Sequence, residues 1–109
     1  MAVTQKILGQ SYPVAGVLTD LYTVPAATST TTSTLVACNL SAVATNIRIV
    51  VRKGGEAFTN KQFLYPDVEI AGNDTLGSTF GMTLAASDVV SVSNAAGTCS
   101  FTLFGQERT

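Results

Sequence analysis

Apolar and polar residues alternate in short runs along this chain, and turn-forming residues interrupt the runs at roughly 8–12-residue spacing. The clearest run is Thr45 to Lys53. Ile47, Ile49 and Val51 point one way there, while Arg48, Val50 and Arg52 point the other, the alternation of a half-buried strand. Gly54-Gly55 then breaks the run as a turn. Upstream, Gln5 to Ser11 reads as a short, weakly extended lead-in. Val17 to Val24 reads as a strand stopped by Pro25. Ala26 to Ser33 is small and hydroxylated, and reads as a loop that passes into a strand over Leu35 to Leu40. Downstream, Lys61 to Tyr65 forms a strand ended by Pro66. In Asp67 to Ile70, Val68 and Ile70 alternate against Asp67 and Glu69. Ala71 to Asp74 is a turn of residue types that tolerate positive φ or cap locally. Thr75 to Leu84 returns as a strand in which Gly77 and Gly81 read as bulges or close backbone approaches. Ala86 to Asp88 turns again. Val89 to Ser93 and Thr98 to Gly105 are the last two strands, joined by the hairpin loop Asn94 to Gly97.

No window sustains a 3.6-residue apolar period, and β-branched residues dominate the runs. The expected fold is all-β: a single antiparallel β-sandwich, jelly-roll-like, of about 8 short strands. The pattern does not carry the strand order, so it does not separate a jelly roll from an immunoglobulin-like sandwich. With 109 residues the chain makes one domain over 1–109. Short extended tails at about 1–8 and 106–109 are expected to order on binding a neighbour.

Composition narrows the function classes. Charged residues are 12% of the chain, against about 25% in typical domains. Hydroxyls take their place, with 16 Thr and 9 Ser. Net charge is −1, and the six Lys and Arg are scattered, so no basic stripe for nucleic acid exists. No apolar run approaches the roughly 20 residues of a membrane span. Residues 1–6 have neither the charged start nor the apolar run of a signal peptide, so synthesis in a reducing cytoplasm is expected. Histidine is absent, which removes the commonest general base and metal ligand. No Gly-x-Ser-x-Gly elbow, Gly-x-Gly-x-x-Gly loop or phosphate-binding loop occurs. The expectation is a non-enzyme with no catalytic residue, no cofactor and no metal.

Individual residues have mostly structural readings. Cys38 shares a strand face with Val36 and Leu40, and Cys99 shares one with Phe101 and Leu103. Both read as small buried hydrophobes, with a bridge between them the minor alternative. Asp67, Glu69 and Asp74 fall close enough to meet around a turn and supply oxygen ligands. Their simpler reading is a solvated strand face and a turn cap. The run Ser29 to Ser33 reads as hydroxyls bonding their own backbone. Among the bases Lys6, Arg48, Arg52, Lys53 and Lys61, Arg48 and Arg52 share a face. They suit an ordinary solvated face, an anion site or a salt bridge to a second subunit. Of the aromatics, Tyr12, Tyr22 and Tyr65 are the candidates for a sugar-binding platform. Phe58, Phe63, Phe80, Phe101 and Phe104 suit the core.

Low charge also weakens the device that keeps sheets apart in solution. Interface centres are depleted in Lys, Glu and Asp, so the composition favours a subunit of an assembly. Several segments carry a resemblance, in this order: Leu21-Tyr-Thr-Val-Pro-Ala-Ala, Leu35-Val-Ala-Cys-Asn, Gln62-Phe-Leu-Tyr, Ile70-Ala-Gly-Asn-Asp-Thr, Thr83-Leu-Ala-Ala-Ser-Asp-Val-Val and the closing Phe101-Thr-Leu-Phe-Gly-Gln-Glu. Together, over roughly residues 5–107, they resemble small virion structural proteins of tailed bacteriophages. The resemblance implies a β-sandwich that works by being built into a particle, and it transfers no catalytic residue. The expected role is a capsid cement or decoration protein bridging neighbouring capsid subunits. Its partners would be other virion proteins and copies of itself, trimers being a common arrangement. The alternatives are a tail or fibre domain binding a host receptor or glycan, and a non-viral binding module.

Overall fold

The structure, a computed structural model, describes residues 2–109. Nine strands account for the fold: β1 (Val3–Ser11), β2 (Thr19–Thr23), β3 (Ser29–Asn39), β4 (Thr45–Arg52), β5 (Phe63–Ile70), β6 (Thr75–Ser78), β7 (Thr83–Leu84), β8 (Val89–Asn94) and β9 (Cys99–Arg108). They form two antiparallel sheets. One has the order β1-β9-β3-β6, with β7 also pairing β3, and the other has the order β2-β8-β4-β5. The pairings nest: β1 with β9, β2 with β8, β3 with β6, β4 with β5. The chain therefore behaves as one long hairpin whose paired arms are rolled into two layers. That nesting is the jelly roll, and it separates this chain from an immunoglobulin-like sandwich.

The core lies between the sheets. Leu35 and Ala37 of β3, Ile47 and Ile49 of β4, Val90 and Val92 of β8, and Cys99, Phe101 and Leu103 of β9 meet there. The period-2 alternation of β4 is in the expected phase, with Val51 also packed against the core. Val50 lies on the opposite face yet is fully buried. Residues 53–62 fold back through two 3-10 turns, and the second, Asn60–Gln62, packs on β4. The side chain of Gln62 is buried in that segment and donates to the Ala57 carbonyl at 3.0 Å.

Several expectations need correction, among them the strand Thr75 to Leu84, which is split into β6 and β7. The termini are not free tails: Val3 pairs with Arg108, Thr4 with Glu107 and Gln5 with Gln106, so each end gives the other its backbone partners. Met1 lies outside the described residues. The run Ser29 to Ser33 is strand, not loop. Thr30 and Thr32 face inward and Ser29, Thr31 and Ser33 outward. β-branching suits threonine to strands, and the inward hydroxyls find partners distant in sequence. Thr32 Oγ1 donates to the Phe80 carbonyl at 2.7 Å and accepts from the Met82 amide at 3.1 Å. Asn94 to Gly97 is not a hairpin loop, because β8 and β9 lie in different sheets and the chain crosses between layers there. Finally, Pro66 does not end a strand. β5 runs through it as an edge, with register shifts beside it and Asp67 at φ 66°. An edge tolerates proline because its missing amide need not pair.

Candidate functional site

Charged side chains in this sandwich are largely occupied by each other. Arg48 grips Asp67 with two hydrogen bonds, Nε to Oδ1 at 2.6 Å and a second guanidinium nitrogen to Oδ2 at 3.0 Å. This pairing holds the Asp67 carboxyl below its ordinary range and raises the Arg48 guanidinium further. Arg52 reaches Asp20 at 2.8 Å, Ser91 Oγ at 3.2 Å and the carbonyls of Gly55 and Glu56. The two arginines therefore have partners within the chain, and neither is a free anion site. Lys61 lies 3.4 Å from Glu56, and the hydrogen bond from Gln62 with the charge of Lys61 lowers the Glu56 pKa. Asp88 receives the amides of Gly54 and Ala85, and Asp74 that of Thr75. Among the described residues no three Asp, Glu or Cys side chains come together to hold a metal ion.

The tyrosines split in the same way. Tyr22 is buried, with its hydroxyl 2.6 Å from Glu107 Oε2 and 2.8 Å from Thr30 Oγ1. Burial, then the Glu107 bond, pushes its phenol up to about 12. Glu107 also meets Lys6 Nζ at 2.8 Å, and these two donors, Lys6 first, hold its carboxyl below the ordinary range. Tyr65 bonds Ser78 across the gap between the sheets and packs edge-on against Phe80, ring centres 5.3 Å apart. Tyr12 alone of the three is open to solvent, 58% exposed beside a shallow depression over Gln10, Ser100 and Thr102. A wider depression of about 680 Å3 lies on the outer face of the first sheet, where Ile7 and Phe104 meet the hydroxyls of Thr31 and Ser33.

The cysteines are both free thiols. Cys99 is buried in the core as expected, and burial pushes its thiol pKa up. Cys38 is half-buried on the outer face, because Leu35, Ala37 and Asn39 take the inward positions of β3.

What sequence reading missed is one end of the sandwich. Four connections converge there: residues 12–18, 40–44, 71–74 and 94–98. The Gly16 amide donates to the Asn94 carbonyl, the Leu40 amide to Thr98, and the Asn73 amide to Ser41. Two buried asparagines hold them in place. Asn39 donates to the carbonyls of Val43 and Ala71 and accepts from the Ser41 amide and the Thr98 hydroxyl. Asn94 donates to Thr45 Oγ1 and the Asn46 carbonyl, and accepts from the amides of Thr98 and Cys99. Across these four connections the one charged residue is Asp74, whose carboxylate accepts the Thr75 amide at 2.8 Å. Val14 and Val43 are 72% exposed and Leu40 61%, with Val17 and several alanines between them. A signal existed in the sequence. Tyr12-Pro-Val-Ala-Gly-Val-Leu, Leu40-Ser-Ala-Val-Ala and Asn94-Ala-Ala-Gly are turns made of apolar residues, where solvated turns carry charge.

No protein-family model matches the chain, and no curated protein matches it. The jelly roll and this apolar, sparsely charged end are therefore the grounds for a functional reading.

Proposed function

We propose that this chain is a non-enzymatic structural subunit of a virion, a capsid cement or decoration protein that bridges and stabilises neighbouring capsid subunits of a tailed phage. The observation that carries the reading is this end, whose exposed apolar loops hold a single charge, Asp74. A concentrated group of exposed valine, leucine and alanine side chains marks a contact surface in a small protein, and interface centres are depleted in charge. The asparagine clasps fix the loops before contact, so little ordering entropy opposes docking. The opposite end carries Lys53, Glu56 and Asp88, so the sandwich has one face for water and one for a partner. Jelly rolls occur in viral capsid proteins, which supports the reading by analogy of fold only.

Cementing is geometric. Subunits seated across capsid junctions, burying on the order of 1,600 Å2 per contact, resist the outward pressure of packaged DNA. The protein would be made in the host cytoplasm and reside in the virion, with capsid subunits and copies of itself as partners. The test is co-sedimentation with empty heads of the cognate phage, followed by heat challenge of the heads. Saturable binding that raises head resistance, and that Val14→Asp and Val43→Asp each weaken at least tenfold, is the expected result. Failure to bind heads overturns the reading. Binding to host cells or their glycans instead, lost on Tyr12→Ala, would establish a tail or fibre domain, for which the exposed Tyr12 is the supporting feature.

A further inference from the structure

The first sheet ends on β1, and among the described residues no strand pairs with the outer rim of its first half. β1 pairs only with β9. Further along, at Gly9, it closes against β2, where a Cβ would meet the Leu21 carbonyl. Val3 to Ile7 is clear of that contact, with Val3 and Ile7 each 53% exposed. Ala2 and Thr109 exchange both of their backbone hydrogen bonds. In an antiparallel ladder such pairs alternate, so Thr4 and Lys6 also face β9. The amides and carbonyls of Val3, Gln5 and Ile7 therefore point away from it, to the open rim.

We propose that this rim pairs with the same rim of a second copy, antiparallel about a two-fold axis through Gln5. In that register Gln5 meets Gln5 of the second copy, and Val3 meets Ile7 in both directions. Three outward-facing residues in each chain then bond to each other and leave no rim group of the segment unpaired. The side chains match as well. Gln106 lies beside Gln5 in the register of β1 with β9, and Phe104 lies beside Ile7. Across the axis this gives a row of four glutamines, Gln106 and Gln5 from each copy, and on either side a row of Phe104, Ile7 and the second copy's Val3 that ends on its Arg108. Cross-strand pairs of this kind stabilise sheets. A natural edge is protected by charge, proline or a bulge. The only charge in β1 is Lys6, which Glu107 neutralises at 2.8 Å. Its proline-free first half is regular up to the irregularity between Ile7 and Gly9. The self-complementary register selects a second copy over an unrelated strand. It also makes the basic unit a dimer, where the particle role alone suggests a trimer. The proposal does not rest on the virion reading.

The experiment is sedimentation velocity across micromolar to millimolar concentration. The rim is smaller than a standard interface of about 1,600 Å2, so a concentration-dependent dimer of micromolar affinity is expected. Gln5→Pro removes an amide that faces the rim and spares those that bond β9. It should keep the wild-type circular dichroism and weaken dimerisation at least tenfold. The register is tested by charge. Val3→Lys with Ile7→Lys sets like charges opposite each other and should give a monomer, whereas Val3→Glu with Ile7→Lys sets opposite charges together and should restore the dimer. A wild-type chain that stays monomeric throughout overturns the proposal, as does a dimer indifferent to Gln5→Pro, or one in which both charge pairs behave alike. Head binding, read separately, can fail while dimerisation stands, so the two readings fall independently.

Discussion

Replacing Asn94 by alanine should cost this sandwich a large part of its stability, although the residue touches no ligand. β1 reaches only as far as Phe101 along β9, its last pairing being Ser11 with Phe101. The amide of Cys99 therefore has no β1 partner, and the carboxamide oxygen of Asn94 takes that place at 3.2 Å while also holding the Thr98 amide at 2.6 Å. Alanine leaves both donors unpaired. Asn94 is 1% exposed and Cys99 fully buried, so water does not replace the lost oxygen at Cys99 without opening the end of the core. An orphaned buried donor costs about 1–3 kcal/mol. Thr98 is only half-buried, so the two together come to about 2–4 kcal/mol. Domains of this size hold about 5–15 kcal/mol in all, and each kcal/mol moves Tm by roughly 4–8 °C. Urea unfolding followed by circular dichroism gives the difference directly. Asn94→Asp keeps the acceptor for both amides and loses only the donor side, so it should fall between wild type and alanine. An alanine variant within about 0.5 kcal/mol of wild type, the range of ordinary surface substitutions, would refute the account of how the layers are joined.

The remaining predictions concern pH, packing and thiol access. Glu107 has a folded pKa below its unfolded value of about 4.3. Its contribution is present above that value and is lost as pH falls through the folded one. Wild type should exceed Glu107→Gln in Tm at neutral pH, and the two should converge in acid; a gap that persists in acid would count against the Lys6–Glu107–Tyr22 chain. Tyr22 titrates at about 12 against an ordinary value of about 10, so its contribution is complete below about pH 10 and lost as pH rises toward 12. Ultraviolet titration should show a tyrosine ionising at about 12, and Tyr22→Phe should remove that step. A Cβ at Gly72 would lie 2.1 Å from the Ala42 carbonyl, while one at Gly77 meets nothing within 4 Å. Gly72→Ala should therefore destabilise by more than about 1 kcal/mol and Gly77→Ala by none, possible strand entropy gain included; equal urea midpoints would contradict this. A thiol reagent should label Cys38 in the native protein and Cys99 only after denaturation, and rapid labelling of both would show that the core at β9 is open.

The alternation of β4 was legible because Ile47, Ile49 and Val51 take the core side while Arg48 and Arg52 take the other, and only Val50 is buried against that period. β8 shows why the rest was harder to read. All six of its residues are buried, and on its outer face Arg52 and Asp20 cover and bond Ser91. A strand covered on both faces still reads as a strand, but nothing in it says which sheet it joins. Asn94-Ala-Ala-Gly97 has hairpin chemistry, and only the pairing of β8 with β2 and β4 makes it a crossing between layers. Ser29 to Ser33 misled for another reason. Hydroxyls that bond locally favour loops, whereas those of Thr30 and Thr32 bond Tyr22, Phe80 and Met82, partners that the fold alone brings near.

The low charge of the chain joins these observations. Arg48 with Asp67, Arg52 with Asp20, Lys61 with Glu56 and Lys6 with Glu107 form pairs within the molecule. Exposed pairs of this kind add little stability, yet they change what the surface presents, because a paired charge repels a neighbouring molecule less than a free one. The loops at the opposite end from Lys53 and Asp88 hold one charge, Asp74, and the rim of β1 holds a single lysine that is already paired. A monomer adapted to remain alone would keep free charges at those two places. Their scarcity at both is the physical basis for reading the chain as a part that is assembled, with one end seated on a partner and one edge joined to its own copy.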